Sequence, residues 1–165
     1  MRTSATGPSE AGFTLLELLV VLVIIGVGVA TTVVALRPDP RVAVREEGNR
    51  LAVLFGLASE ESATTGMTLA WVGLDGGYEF QSREINDAGP DWSTISSDDL
   101  LHPRQLPGGM KLRGIAVDGH ALALGQRVAL AGGHDVAVEI TSGEASALIS
   151  GSDGHFQSTL AEAGR

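Results

Sequence analysis

The chain contains no cysteine, which excludes a disulfide scaffold, a thiolate metal site and a cysteine nucleophile. It does not fix the compartment, because a domain can be exported without a disulfide. Basic residues are also scarce: eleven Lys and Arg stand against twenty Asp and Glu, for a formal net charge of −9 and a sequence pI near 4.8. Wrapping nucleic acid requires clustered cations that displace condensed counterions, so this balance disfavours that function class. Aromatic residues make up only 4%. A length of 165 residues suits one modest domain with an appendage and is too short for two full domains.

The mean hydropathy of +0.19 is unevenly distributed. From Leu18 to Leu36 the chain reads LLVVLVIIGVGVATTVVAL, nineteen residues without a charge. As a helix this run is roughly 29 Å long, about the thickness of a bilayer's hydrocarbon core. Inside such a core every backbone N–H and C=O must be paired within the segment, so length overrides the strand propensity of its β-branched residues. Gly26, Gly28 and Ala30 give one side small residues where another helix could approach, although tolerated glycines explain them equally well. A cleavable secretory signal is disfavoured, because its apolar region runs to about 7–15 residues and this block exits through Arg37-Pro38-Asp39-Pro40. A plain signal anchor gives no role to Glu17, one residue before the uncharged run.

Gly12-Phe13-Thr14-Leu15-Leu16-Glu17, followed by the apolar run, resembles the processing site of type IV pilins and type II secretion pseudopilins. The resemblance implies that prepilin peptidase cuts after Gly12 and that the new amine of Phe13 is then methylated. It further implies that Glu17 meets the amine of Phe13 in a neighbouring subunit during assembly. A carboxylate and an ammonium, each poorly solvated by lipid alone, attract strongly at low dielectric. Charge flanks point the other way on topology. Arg37, Arg41, Arg45 and Arg50 follow the run, whereas the leader holds Arg2 and Glu10, so the positive-inside rule alone puts the C-terminal part in the cytoplasm. The resemblance implies the opposite orientation and is the reading followed here.

Beyond Pro38 and Pro40, Val42 to Ala63 recovers a helical pattern. Val44, Leu51, Leu54, Phe55, Leu57 and Ala58 favour one side, and Arg45, Glu46, Glu47, Arg50, Glu60 and Glu61 the other. Gly48, Asn49 and Gly56 are weak helix formers that predict local softening, and Gly66 ends the segment. Membrane and amphipathic halves are expected to form one long kinked helix. From Met67 the hydrophobic period changes to two. Thr68–Val72 and Tyr78–Gln81 flank a hairpin signal, 83–99 reads as a polar loop, and 100–109 as prolonged turn chemistry with buried leucines. Strands are predicted at Met110–Val117, Ala121–Leu124, Arg127–Ala131, Val136–Ile140, Ala145–Ser150 and His155–Leu160, in the rhythm of an antiparallel sheet pair. The tail 161–165 is expected to fray.

The soluble part resembles the minor pseudopilin H family of type II secretion. The resemblance is carried by Leu51 to Glu61, by Gly77-Tyr78-Glu79-Phe80, by Asp98-Asp99-Leu100-Leu101-His102-Pro103-Arg104-Gln105-Leu106-Pro107-Gly108-Gly109-Met110, and by Val136 to Glu144 with its Ser-Gly-Glu turn. Ala147-Leu148 departs from the Pro-Phe pair frequent in that family. The implied fold is α+β: a pilin-like long N-terminal helix packed on an antiparallel β-rich globular domain. The implied organisation is a leader over 1–12 cleaved after Gly12, a transmembrane and assembly helix over 13–36, an amphipathic continuation over 37–66 and a periplasmic β-rich domain over 67–165.

Chemistry is expected to be absent. His102, His120, His134 and His155 sit among turn residues outside any catalytic signature, and Gly132-Gly133-His134-Asp135 has neither the lysine nor the helix of a phosphate cradle. Asp75 and Asp98-Asp99 lack calcium-loop spacing. Trp71 alternates with Leu69 as a core residue, whereas Trp92 falls in the polar loop as a contact hot spot or a pin for its own loop. No cofactor and no metal are therefore expected, and the resemblance implies a non-enzymatic role as a single-pass inner-membrane subunit of a periplasmic pseudopilus. The resemblance implies as partners the other minor pseudopilins of the tip, the major pseudopilin, the assembly platform and prepilin peptidase. No nucleic acid is expected. The alternatives are a DNA-uptake minor pilin of type IV pili, disfavoured by the single basic residue Arg165 in 149–165, a tethered enzyme, and a plain anchored binding domain.

Overall fold

The computed structural model describes residues 15–35, 39–86, 89–96 and 100–161, with the side chains of 29–35 and 84–90 left aside. The leader over 1–12, the Gly12-Phe13 junction, the helix junction at Leu36–Pro38, Asp98-Asp99 and the end of the tail lie outside the described residues. The chain divides into two compact units, 1–38 and 39–165.

The first unit is helix α1 (Leu15–Ala35), which carries Glu17 in its first turn and no basic residue in its last. Its described side chains, from Leu15 to Gly28, are exposed all round. A helix apolar on every face has no stable home in water and requires lipid or other helices around it.

The second unit opens with α2 (Pro40–Thr65). Asp39 caps it: its carboxylate accepts from the Arg41 N–H at 2.9 Å, and Pro40 fills the first turn, where no N–H is needed. Gly66 ends it at φ 70°, donating its N–H to the Ser62 carbonyl at 3.1 Å. Among the described residues ten strands follow: β1 (Thr68–Leu74), β2 (Gly77–Asn86), β3 (Gly89–Thr94), β4 (Arg104–Gln105), β5 (Met110–Val117), β6 (His120–Ala121), β7 (Arg127–Ala129), β8 (Val136–Ser142), β9 (Ala145–Ser152) and β10 (His155–Ala161). They form two antiparallel sheets, one ordered β3-β2-β1-β7 with β4 added to β2, the other β10-β9-β8-β5-β6. Tight turns set the registers. Asp118-Gly119 and Asp153-Gly154 both hold positive φ at two successive residues, the primed turn whose twist matches a two-residue hairpin.

Helix α2 packs its buried face, with Val44, Leu51, Leu54, Phe55 and Ala58, against both sheets. Phe55 lies at the centre, edge-on to Trp71 at 5.4 Å, Phe156 at 5.4 Å and Phe80 at 6.4 Å. These edge-to-face contacts concentrate the chain's few aromatics at the point where helix and sheets meet. The α+β fold is therefore present, a helix followed by a second helix and an antiparallel β-rich domain.

Several expectations are corrected. The span 83–99 is not a loop throughout: β2 runs to Asn86 and pairs with β3, Arg83 opposite Trp92. Its polar composition suits an edge strand exposed to water, where Pro90 is tolerated. The strand expected at Ala121–Leu124 shrinks to the pair His120–Ala121, and that at Arg127–Ala131 stops at Ala129. Helix α2 is continuous across Gly48 and Gly56. The two glycines permit contact: a Cβ on Gly48 would collide with Ser158 Oγ and lie 3.3 Å from Ala147 Cβ, and one on Gly56 would lie 3.1 Å from the Gly154 carbonyl.

Candidate functional site

Glu47, which polarity assigns to the charged side of α2, lies instead on its buried face. It is 4% exposed and accepts a hydrogen bond from the Tyr78 hydroxyl at 2.9 Å, while Arg50 Nη1 donates to its other oxygen at 3.1 Å. Burial, then the adjacent Glu47 carboxylate, pushes the Tyr78 phenol well above its usual range. The signal existed in the sequence: position 47 lies three residues after Val44 and four before Leu51, on the buried side. The cluster ties α2 to β2. Tyr78→Phe should destabilise the domain by about 2 kcal/mol in urea unfolding, because the buried carboxylate loses a donor. Adding Glu47→Leu should make the double variant less destabilised than the sum of the two single losses.

The histidines are dispersed. His120 begins β6 and His155 begins β10, both exposed. His134 is exposed in the β7–β8 loop and paired there: its Nδ1 lies 2.7 Å from Asp118 Oδ2, and Asp118 Oδ1 accepts the Asp135 N–H at 2.9 Å. The His134 bond, then the Asp135 amide, lowers the Asp118 carboxyl below its ordinary value. A depressed carboxyl favours the folded loop above the unfolded-state value, and that contribution disappears as pH falls through the folded-state one. This pair clamps the two turns at one end of the second sheet. Asp75 stands alone in the β1–β2 turn, and among the described residues no three His, Asp or Glu side chains are grouped to hold a metal.

Trp92 lies on β3 rather than in a loop. The Arg127 side chain crosses the outer face of the first sheet, its Nε donating to Gln81 Oε1 at 2.6 Å and its guanidinium 5.1 Å from the Trp92 ring. Register places Ala70 and Val72 beneath this side chain, next to Gln81 and Glu79. They are accordingly buried on a face otherwise open to water.

Of the three residues the sequence singles out, only Glu17 falls among those described. It sits exposed in the first turn of α1, where a carboxylate is favoured by the helix dipole and precedes a side-chain surface that is wholly apolar. The arrangement is an apolar helix with a charged head, remote in sequence from every polar cluster of the β-domain. Residues 8–33 match the family described as the prokaryotic N-terminal methylation motif. The motif is of the prepilin type. It spans the Gly12-Phe13 junction, Glu17 and most of the apolar run, and it supports a pilin-like protein that is a substrate for prepilin peptidase and methylation. No curated protein and no solved structure matches the chain.

A prepilin motif implies a membrane-anchored N-terminus in general. Among the described residues no helix is long and apolar enough to cross a membrane. The side chains described in α1 end at Gly28, whereas the uncharged run continues to Leu36.

Proposed function

We propose that the protein is a minor pseudopilin of type II secretion, similar to the H subunit. In this reading it is a non-enzymatic structural part of the periplasmic pseudopilus that supports export of folded proteins across the outer membrane. The observation that carries the reading is the methylation motif over 8–33 in a chain whose second helix packs on an antiparallel β-domain. Cleavage after Gly12 frees the amine of Phe13, methylation follows, and α1 anchors the subunit once in the bacterial inner membrane with the β-domain in the periplasm. On assembly, Glu17 neutralises the Phe13 amine of a neighbour. The other minor pseudopilins, the major pseudopilin and the assembly platform are its partners, and prepilin peptidase is its processing enzyme.

The test is the mature N-terminus of protein purified from its own membrane, read by intact mass and fragmentation. An N-methylated Phe13 is expected. An intact Met1 would leave a plain anchor, and a cut beyond Leu36 would leave a soluble exported domain. Secretion and pilus roles separate in a deletion strain: loss of protein export with pili intact supports the proposal, and loss of pili with export intact replaces it with the minor-pilin reading.

Glu17→Ala should be cleaved normally yet recovered in sheared fibres at least roughly a hundredfold less than the parent chain, because an amine is left without its counter-charge in a low-dielectric seam. Equal recovery would remove Glu17 from assembly.

A further inference from the structure

Helix α2 and the β9–β10 hairpin leave an open cleft of about 610 Å³ between them. Short side chains on α2 create the room: Ala52, Gly56 and Ser59 face it where longer residues would fill it. Helix and turn close together at Gly56, where an added Cβ would lie 3.1 Å from the Gly154 carbonyl. Leu57 and Phe156, both half-buried, supply the apolar floor. Val53, 70% exposed, carries the apolar surface out of the cleft onto the crest of the helix.

The charges at the rim are of one sign. Glu60 stands on the helix side and Asp153 on the hairpin side, both exposed. Among the described residues no Lys or Arg lines the cleft, and His155 is the only other titratable group there. On the opposite flank of Val53 a second cleft carries Glu46 together with Arg50 and Arg104, so its carboxylate is matched by cations and it has no comparable preference. The contrast between the two flanks points to the charge of the ligand.

We infer that the cleft between α2 and the β9–β10 hairpin docks a cationic amphipathic segment of a partner protein. An apolar side chain of that segment lies over Leu57 and Phe156, and Lys or Arg on either side meets Glu60 and Asp153. Apolar burial supplies the affinity, and the two carboxylates select against acidic segments. Exposed ion pairs are weak and screened by salt, so a short peptide should bind with a dissociation constant on the order of a millimolar. The inference does not depend on the proposed secretion role.

The test uses the full chain, ¹⁵N-labelled in micelles of an uncharged detergent, titrated with acetyl-Lys-Leu-Lys-amide and, separately, acetyl-Glu-Leu-Glu-amide. The lysine peptide is expected to shift the amide resonances of Gly56, Glu60, Gly154 and Phe156, with saturation. Its binding should weaken about tenfold in the Glu60→Gln/Asp153→Asn variant. Asparagine tolerates the positive φ of 51° at position 153, so this variant keeps the turn. Absence of shifts at these amides, equal shifts from the glutamate peptide, or shifts centred on Arg50 and Leu100 would overturn the inference. So would shifts of the same amides that depend on protein concentration without peptide, which would make a second copy the occupant.

Discussion

Phe55→Ala is expected to destabilise the β-domain by about 3–5 kcal/mol, against a total of about 5–15 kcal/mol for a domain of ordinary stability. The size follows from position. Phe55 is fully buried and edge-on to three rings, two on the first sheet and one on β10 of the second. Its removal takes away both the transfer free energy of the ring and the contacts that hold α2 against two separate sheets. Collapse around the void is resisted, because Gly48 and Gly56 already bring the helix backbone into contact with β10 and the β9–β10 turn. With a slope of roughly 2 kcal/mol per molar urea, the midpoint should fall by about 2 M. Val53→Ala, two residues away on the exposed crest, should stay within about 0.5 kcal/mol of the parent. Similar shifts for both variants would show that α2 is not docked as described.

The apolar stripe of α2 was legible because Val44, Leu51, Leu54, Phe55 and Ala58 recur at helical spacing, and burial of an apolar face is the main force acting on such a segment. Glu47 was not, because a rule that sorts side chains by polarity sends a carboxylate to water. Helical phase between Val44 and Leu51 marks the position as inward, but the partner that satisfies the carboxylate is a tyrosine thirty-one residues away, which no local pattern announces. The same limit hid β3. Its residues, Gly-Pro-Asp-Trp-Ser-Thr, have turn composition, and they form a strand only because β2 offers unpaired backbone groups beside them. By contrast the ends of Met110–Val117 are legible from the glycine turn on each side, whereas its alternation breaks between Leu112 and Gly114, where the register with β8 shifts.

The glycines show a further reason for the gaps. Gly48 and Gly56 lower helix propensity, and read locally they suggest a soft segment. Their effect on the fold comes from what lies opposite, Ser158 and Ala147 for one and the Gly154 carbonyl for the other. A propensity counts only the helix, whereas the fold gains the close approach of helix and sheet. The N-terminal motif is legible for the opposite reason. A processing motif is recognised by an enzyme as a linear stretch, so residues 8–33 carry their meaning without tertiary partners.

Gly12→Leu is expected to abolish the mature form, with processing at least roughly a hundredfold slower than in the parent chain and Met1 retained in intact mass. In the proposed route the junction must enter the active site of a peptidase beside the membrane, and a bulky side chain at the cut excludes it. The consequence reaches further than cleavage. Without the cut no amine forms at Phe13, methylation has no substrate, and Glu17 of the next subunit has no cation to meet. The two defects should therefore fail to add: Gly12→Leu combined with Glu17→Ala should leave no more of the chain out of sheared fibres than Gly12→Leu alone. Gly12→Ala, with one methyl at the junction, should fall between parent and leucine variant. Normal processing of Gly12→Leu would mean that the cut lies elsewhere or does not occur. Normal fibre entry by the uncut chain would separate assembly from the Phe13 amine and leave the position of Glu17 to be explained by the helix dipole alone.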